Sequence, residues 1–404
     1  MSEATAWLDR YDAALAHTFS PPRRLLVRAA GTQVWDADGK AYTDFLSGIA
    51  VNVLGHCHPA VTAAIAQQAA SLDHISNFFA SQPQVRLAEA LIELAIANQP
   101  GLPAKVYFAN SGAEANEAAF KLARLTGRTK IVAMKGSFHG RTMGALAITS
   151  KAAYREPFAP LPGEVVFVPY GSLEALTDAV DETVAAVVIE PVQGENGVIV
   201  APPSFLPAAR LITAQAGALL WVDEVQTGLG RCGEWLVSVA DGITPDVITL
   251  AKGLGNGFPI GACLALGPAA DLFTPGSHGS TFGGNPVAAA AGLAVLSAIG
   301  QNDLLGQARR LGESLAAAIM GLGNPLINEV RGRGLLCGIV FNQPIAAAVN
   351  DALLQAGWIT NAPRPNVLRL APPLIVTIEE IDNFALALDA VLRDGRVGTA
   401  GGES

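Results

Sequence analysis

Four cysteines in 404 residues are few, and no two of them form a Cys-x-x-Cys pair. That pattern excludes a disulfide framework and the common paired-cysteine zinc and redox motifs. It reads as reduced, mostly buried thiols in a cytoplasmic protein. No block rich in Lys and Arg occurs, and the net charge is −9 with a pI near 5.2. Nucleic-acid binders carry a basic face, so nucleic acid is not an expected partner. A local basic site for a small anionic substrate stays open. Long hydrophobic runs are missing too. The longest, around residues 286–300, is alanine-rich and broken by Gly292, too short and weakly apolar to span a bilayer, so no membrane partner is expected. Residues 1–10 hold Glu3 and Asp9 and no apolar core, so no secretory leader is expected there. There is no internal repeat. There is no Walker A motif either: only Lys40 follows a glycine, and Val34 stands where the motif needs another.

Half of the residues are hydrophobic and 15% are charged, enough for a large buried core. At roughly 150 residues per domain, the length suggests two or three domains. Gly 42 and Pro 25 point to many tight turns, with turn signals early at Pro21-Pro22 and Asp38-Gly39. Short Val/Ile/Leu-rich runs at 130–134, 165–168, 185–189, 219–222, 247–250 and 262–266 alternate with helical patterns. Such runs read as parallel strands covered on both faces, hence an α/β domain with right-handed crossovers. The last hundred residues differ. A helix over 303–320 has Leu304, Ala308, Leu311, Leu315 and Ile319 on one face, and strand-like pieces follow at 335–341 and 367–370. A final helix opens with Thr377 and Glu380 at capping-box spacing and lines up Ile381, Phe384, Ala385, Leu388, Val391 and Leu392. The expected organisation is an N-terminal segment (1–50) that joins the small domain, a large domain (51–300) built on a mostly parallel sheet, and a smaller α+β domain (301–404). The tail after Asp394, with Gly395, Gly398, Gly401 and Gly402, is expected to fray.

Three polar groups end predicted central strands: Glu190, Asp223-Glu224 and Lys252. Charges often end strands simply to reach water, but in open α/β sheets ligands bind at the carboxyl ends of strands. Lys252 lies among Gly253, Gly255 and Gly257, which let a planar ligand approach the backbone. A lysine held among apolar groups has a lowered pKa and forms an imine with an aldehyde; equally, it snorkels to the surface. Asp223 either caps its strand or pairs with the protonated ring nitrogen of pyridoxal phosphate. Val225 and Gln226 then point opposite ways, one serving an apolar ring face and the other a polar substituent. The passage from Phe108 into a helix bearing Ala115, Ala118, Ala119, Leu122 and Leu125, with Gly127 as its stop, places Ser111, Gly112 and Ala113 at a helix N-terminus. That end is an ordinary cap or an anion site. In the loop 136–142, Phe138 is placed to stack on a ring, and Arg141 either holds a carboxylate or makes a surface ion pair.

Two motifs mislead. Residues 228–233 read G-x-G-x-x-G, but no clear helical periodicity follows, as a dinucleotide fingerprint requires. A nucleotide-binding dehydrogenase built on them is the alternative from another class. His56-Cys57-His58 has no further ligands nearby and reads as a turn before Pro59, so no metal is expected.

Residues 18–393 resemble the class III aminotransferases of fold type I. The resemblance is carried by Phe45-Leu-Ser-Gly-Ile-Ala-Val-Asn-Val-Leu-Gly-His56, Asn110-Ser-Gly-Ala-Glu-Ala-Asn-Glu117, Phe138-His-Gly-Arg-Thr142 and Glu190-Pro-Val-Gln-Gly-Glu195. It continues through Asp223-Glu-Val-Gln-Thr-Gly228, Leu250-Ala-Lys-Gly253, His278-Gly-Ser-Thr-Phe-Gly-Gly-Asn-Pro286 and Val367-Leu-Arg-Leu-Ala-Pro-Pro373. The resemblance implies pyridoxal 5'-phosphate as cofactor, held by Lys252. It implies Asp223 on the ring nitrogen, Phe138 and Val225 on the ring faces, Gln226 on its hydroxyl, and Glu190 in the same site. Ser111, Gly112 and Ala113 would bind phosphate, with Ser280 and Thr281 reaching over from a second copy in a homodimer with shared active sites. Arg141 would hold the carboxylate of an acylated amino acid, and Arg369 that of glutamate or 2-oxoglutarate. Glu195 would cover Arg369 while the ω-amino substrate is bound. Within the family, N2-acetylornithine is the expected amino donor, and Lys252 would move the proton at its δ-carbon. N-succinyldiaminopimelate, succinylornithine, ornithine and 4-aminobutyrate are the other candidates, and a non-catalytic cofactor binder is a further alternative. Asn196 stands where glycine is common in the family. Phe19 stands where many members have a tyrosine near the substrate carboxylate, which points away from free ornithine.

Overall fold

A computed structural model describes residues 3–394; the tail expected to fray lies outside the described residues. Its centre is a seven-stranded sheet in the order Ala104–Ala109, Gly261–Leu266, Val247–Leu250, Leu219–Asp223, Val184–Ile189, Lys130–Met134, Glu164–Val168. Every position of Val184–Ile189 is buried, which is why this stretch is apolar throughout rather than alternating. The alternation is spatial instead. Ile131, Ala133, Ala186, Val188 and Trp221 pack on one face against Ala118, Ala119 and Leu122 of the helix Gly112–Arg124. Val132, Met134, Val187, Ile189, Leu220 and Val222 pack on the other against Phe205, Leu206 and Ala209 of the helix Phe205–Ala216. Each such large side chain contributes about 1.5–3 kcal/mol on burial, so both faces must be covered.

Five strands, from Val247–Leu250 to Glu164–Val168, pair parallel. Gly261–Leu266 does not: it is antiparallel to both of its neighbours, against the expectation for 262–266. The reason is chain length. Residues 251–260 alone join it to Val247–Leu250, fewer than the dozen or more that a parallel crossover needs. Another expectation shifts at the helix Gly112–Arg124. Leu125 lies just past its last turn and is 45% exposed rather than part of the buried face.

A second sheet, Ile327–Arg333, Leu336–Phe341, Val367–Leu370 and Asn361–Arg364, is antiparallel throughout. The helices Leu304–Met320 and Ile378–Arg393 bury Leu311, Leu315, Phe384 and Leu388 in one cluster with its Ile339, Phe341, Leu368 and Leu370. The early chain forms the meander Leu26–Ala30, Gln33–Asp36, Ala41–Asp44, and its last strand pairs with Trp358–Ile359. Asp36 organises the Asp38-Gly39 turn by accepting the amides of Asp38 and Lys40 at 3.1 and 2.9 Å. Among the described residues, no single helix is long and apolar enough to cross a membrane.

The last helix starts where the spacing of Thr377 and Glu380 predicts. Thr377 Oγ1 accepts the Glu380 amide at 3.2 Å, and Glu380 Oε2 accepts the Thr377 amide at 2.9 Å. Thr377→Ala is expected to lower unfolding free energy by about 1 kcal/mol, read from the urea midpoint at unchanged slope.

Candidate active site

The strand Val247–Leu250 ends one residue before a sharp turn. Lys252 has φ of 43°, a left-handed conformation that costs a lysine on the order of 1–3 kcal/mol. The 3-10 turn Lys252–Leu254 holds it there, with the Leu254 amide on the Ala251 carbonyl at 2.9 Å. The side chain is thereby turned toward a cavity beyond the strand ends. Burial of the amine pushes Lys252 below the ordinary lysine range, and Arg369 adds to this. Glu195, Asp223 and Glu190 pull the other way without reversing it.

Asp223 ends the neighbouring strand and is 4% exposed. Its Oδ2 accepts from His139 Nδ1 at 2.7 Å and Asn116 Nδ2 at 2.8 Å, and its Oδ1 accepts the Val225 amide at 3.0 Å. Asn116 Nδ2 also donates to the His139 carbonyl at 2.7 Å. Glu190 ends the next strand. Burial pushes its carboxyl well above the carboxylate range, and the nearby Asp223 charge raises it further. The Phe138 amide, 3.2 Å from Oε2, offsets only part. Glu190 therefore holds its proton more tightly than an ordinary carboxyl does.

Ser111 caps the helix Gly112–Arg124, its Oγ accepting the Glu114 amide at 3.1 Å. Gly112 is needed for close approach: a Cβ there would stand 2.8 Å from Val225 Cγ1. The helix N-terminus thus packs directly on the turn after Asp223.

A cavity of about 410 Å³ gathers Ser111, Gly112, Ala113, Phe138, Arg141, Glu190, Asp223, Val225, Gln226 and Lys252. Arg141 stacks over the Tyr154 ring at 3.4 Å and lies 5.8 Å from the Phe138 ring centroid. Phe138 also lines an adjoining cavity of about 280 Å³, together with Glu195, Lys151, Tyr154 and Arg364. Arg369 lines neither. It is 1% exposed, pairs with Glu195, donates to Asn361 Oδ1 at 2.8 Å and lies 3.4 Å from Gln226 Oε1. Burial alone would raise Glu195, but the Arg369 and Lys252 charges outweigh it and hold its carboxyl below the ordinary value. Ser280 and Thr281 stay outside the large cavity: Ser280 Oγ accepts from Asn110 Nδ2 at 3.2 Å, and Thr281 is exposed. Phe19 is 82% exposed and also outside it.

His139 and Asn116 were not singled out for Asp223 from the sequence. A usable signal was Asn116 itself, the one polar side chain among the helix's buried residues, the others being Ala115, Ala118, Ala119, Phe120, Leu122 and Ala123. Asn361 and Tyr154 carried no signal of their own. Glycines 230 and 233 have positive φ in a turn, and the next helix, Val237–Ala240, spans four residues. His56 Nε2 bonds Asp44 Oδ2 at 2.8 Å, and His58 precedes the helix Pro59–Ser71.

Comparison with known proteins adds to this geometry. The family model for aminotransferase class III matches residues 15–392. The acetylornithine aminotransferase of Streptomyces coelicolor is 54% identical over 396 residues, covering 98% of this chain and 97% of its own. That of Mycobacterium tuberculosis strain H37Rv is 55% identical over 383 residues, covering 95% of each. Among solved structures, the ornithine aminotransferase of Toxoplasma gondii, described with PLP partially occupying its active site, superposes with a TM-score of 0.90 at 31% identity. It covers 97% of this chain and 94% of its own. The acetylornithine aminotransferase of Elizabethkingia anophelis gives 0.85 at 32% identity, with 97% and 99% covered.

The raised Glu190 makes a pH prediction. Above its ordinary value of 4.5 the unfolded chain releases this proton while the folded chain keeps it, so stability falls as pH rises toward the folded value. Glu190→Gln removes that slope, at most about 1.4 kcal/mol per pH unit. The variant is therefore expected to gain stability over the parent as pH rises above the ordinary value of 4.5, measured by urea unfolding.

Proposed function

The chain belongs to the class III aminotransferase family, and from that premise we propose that it transfers the δ-amino group of N2-acetylornithine to 2-oxoglutarate. The products are N-acetylglutamate 5-semialdehyde and glutamate. The enzyme uses pyridoxal 5'-phosphate, which when bound withdraws electrons from the carbon that loses a proton. The observation that carries the reading is the pairing of Lys252 and Asp223 at adjacent strand ends around one cavity, with a helix N-terminus opening onto it. The donor set fits the cofactor: a carboxylate pinned by three donors, a lysine with depressed proton affinity, and a helix N-terminus that Gly112 lets pack against Val225 at the cavity wall.

In this reading Lys252 would hold the cofactor's aldehyde carbon, and Asp223 would pair with its ring nitrogen. Phe138 and Val225 would flank the ring, Gln226 would meet the ring hydroxyl, and Glu190, with its proton affinity raised, lies beside Asp223. Backbone amides at Ser111, Gly112 and Ala113 take the phosphate. Once the substrate's amine has taken its place on that carbon, the freed Lys252 Nζ would remove the proton from the δ-carbon; its lowered pKa leaves more of the amine neutral for that task. Arg141 holds the α-carboxylate of the acylated donor, oriented by the Tyr154 ring on which it stacks. Arg369 holds the dicarboxylate, and Glu195 covers it in the other half-reaction; their ion pair corresponds to the covered state.

The large cofactor-binding domain is taken as residues 51–300, with 1–50 and 301–404 making the small one. Two copies share their sites, Ser280 and Thr281 of each serving the other. The exposure of Phe78, Phe79 and Phe282, at 92%, 64% and 59%, supports a face that a second copy covers. Four free cysteines support a reducing compartment, the cytoplasm.

The test is the visible spectrum of the purified protein before and after N2-acetylornithine is added. Loss of the cofactor's yellow band is expected, and Lys252→Ala should abolish turnover. Arg141→Ala should lower kcat/KM for acetylornithine roughly 10²-fold, the loss of a charge-assisted carboxylate contact. A higher kcat/KM for succinylornithine, N-succinyldiaminopimelate, ornithine or 4-aminobutyrate would reassign the substrate within the family. A protein that never takes up the cofactor would overturn the reading.

A further inference from the structure

Glu195 sits at the tip of a hairpin whose strands are Val192–Gln193 and Ile199–Val200. The Gly197 amide closes the tip on the Gly194 carbonyl at 3.2 Å. Three consecutive tip residues each engage an arginine of the antiparallel C-terminal sheet. Glu195 pairs with Arg369, Asn196 Oδ1 accepts from Arg364, and the Gly197 carbonyl accepts from Arg331 at 3.1 and 2.8 Å.

The middle contact reaches further than the others. Asn196 Nδ2 also donates to Gln193 Oε1 at 2.8 Å, and Gln193 Nε2 donates to the Lys135 carbonyl at 3.0 Å. A Cβ on Gly136 would stand 2.1 Å from Asn196 Nδ2, so the amide lies directly on that backbone. Gly136 opens the loop that carries Phe138 and Arg141. Arg364 belongs to the strand Asn361–Arg364, which pairs with the strand of Arg369. One side chain therefore bridges the supports of both carboxylate-holding arginines.

We infer that Asn196, held by Arg364, is a positioning residue that fixes the hairpin backbone, so that Glu195 moves on and off Arg369 by side-chain rotation alone. The inference rests on Arg369 being the dicarboxylate site. Glu195 must leave when a dicarboxylate arrives and return when the acylated amine does. If the backbone moved with it, Gly194 would lift from Gln226, whose Oε1 would lie 1.8 Å from a Cβ at that position. Gln226 lines the large cavity, so its wall would shift in every cycle. A pinned tip confines the exchange to a few rotamers and preserves the wall. Released, the tip samples more positions and covers Arg369 less. The acylated donor then meets fewer molecules in which Arg369 is covered, and its half-reaction slows.

The experiment measures the two half-reactions separately in single turnovers of the cofactor-loaded enzyme, for the parent, Asn196→Ala, Arg364→Ala and the double variant. Amide hydrogen exchange across residues 194–197 is measured alongside, and matched thermal melts establish folding. Losing one hydrogen bond to a charged group should lower kcat/KM for acetylornithine about tenfold, while the 2-oxoglutarate half-reaction changes less than about twofold. Exchange at the tip should quicken in both single variants, and the double variant should be no worse than either. Equal losses in both half-reactions, unchanged exchange, or additive effects would each overturn the inference. Absence of both half-reactions in the parent would instead contradict the functional reading, and the exchange rates would still decide whether Asn196 pins the hairpin.

Discussion

Burying the Asp223 carboxylate is the constraint around which the site is arranged. An ionised group taken out of water must be met by hydrogen bonds, and Asp223 receives three from separate parts of the chain. Asn116 comes from the helix whose first turn holds Ser111, Gly112 and Ala113. His139 comes from the loop of Phe138 and Arg141. The Val225 amide comes from the turn that ends Asp223's own strand. Satisfying one carboxylate therefore fixes the relative placement of the helix N-terminus, the aromatic loop and the strand end. The Asn116 amide, shared with the His139 carbonyl, ties the first two together independently of the charge.

The same burial sorts the neighbouring acids. The parallel register sets Val222 opposite Ile189, so Asp223 and Glu190 end adjacent strands side by side. Two charges there would repel in a region with little water. Glu190 has one backbone amide and its carboxyl is raised well above the ordinary range; Asp223 has three donors. Glu195 resolves the same conflict differently, through Arg369. Three acids close to one lysine thus have distinct environments, each set by what donates to it.

Much of this was legible in the sequence, for reasons tied to particular elements. The strands Lys130–Met134, Val184–Ile189 and Val247–Leu250 announce themselves because helices on both faces leave few positions for a polar residue, Lys130 and Thr249 being the exceptions. Glu190, Asp223 and Lys252 stand out as the polar groups that end such runs. The direction of Gly261–Leu266 was missed, since composition says nothing of orientation; only the length of the preceding loop does. The roles of Asn116 and His139 were missed because their partner lies about a hundred positions away. Glu195 and Arg369 lie farther still from each other, and only resemblance to a family joined them. Pairs brought together by tertiary structure alone leave no local pattern.

The meander of residues 26–44 has its outer partner far downstream, since Ala41–Asp44 is completed by Trp358–Ile359. A ribosome adding about 5–20 residues per second emits that partner roughly 15–60 s after the strand it completes. Throughout this interval the nascent chain carries an open strand edge with free amides and carbonyls. Such edges recruit other strands, so the nascent chain is exposed to misassembly until residues 358–359 emerge. A sheet whose strands lie more than three hundred residues apart closes only after all the chain between them has been made, and a chaperone that shields residues 41–44 would protect that edge meanwhile.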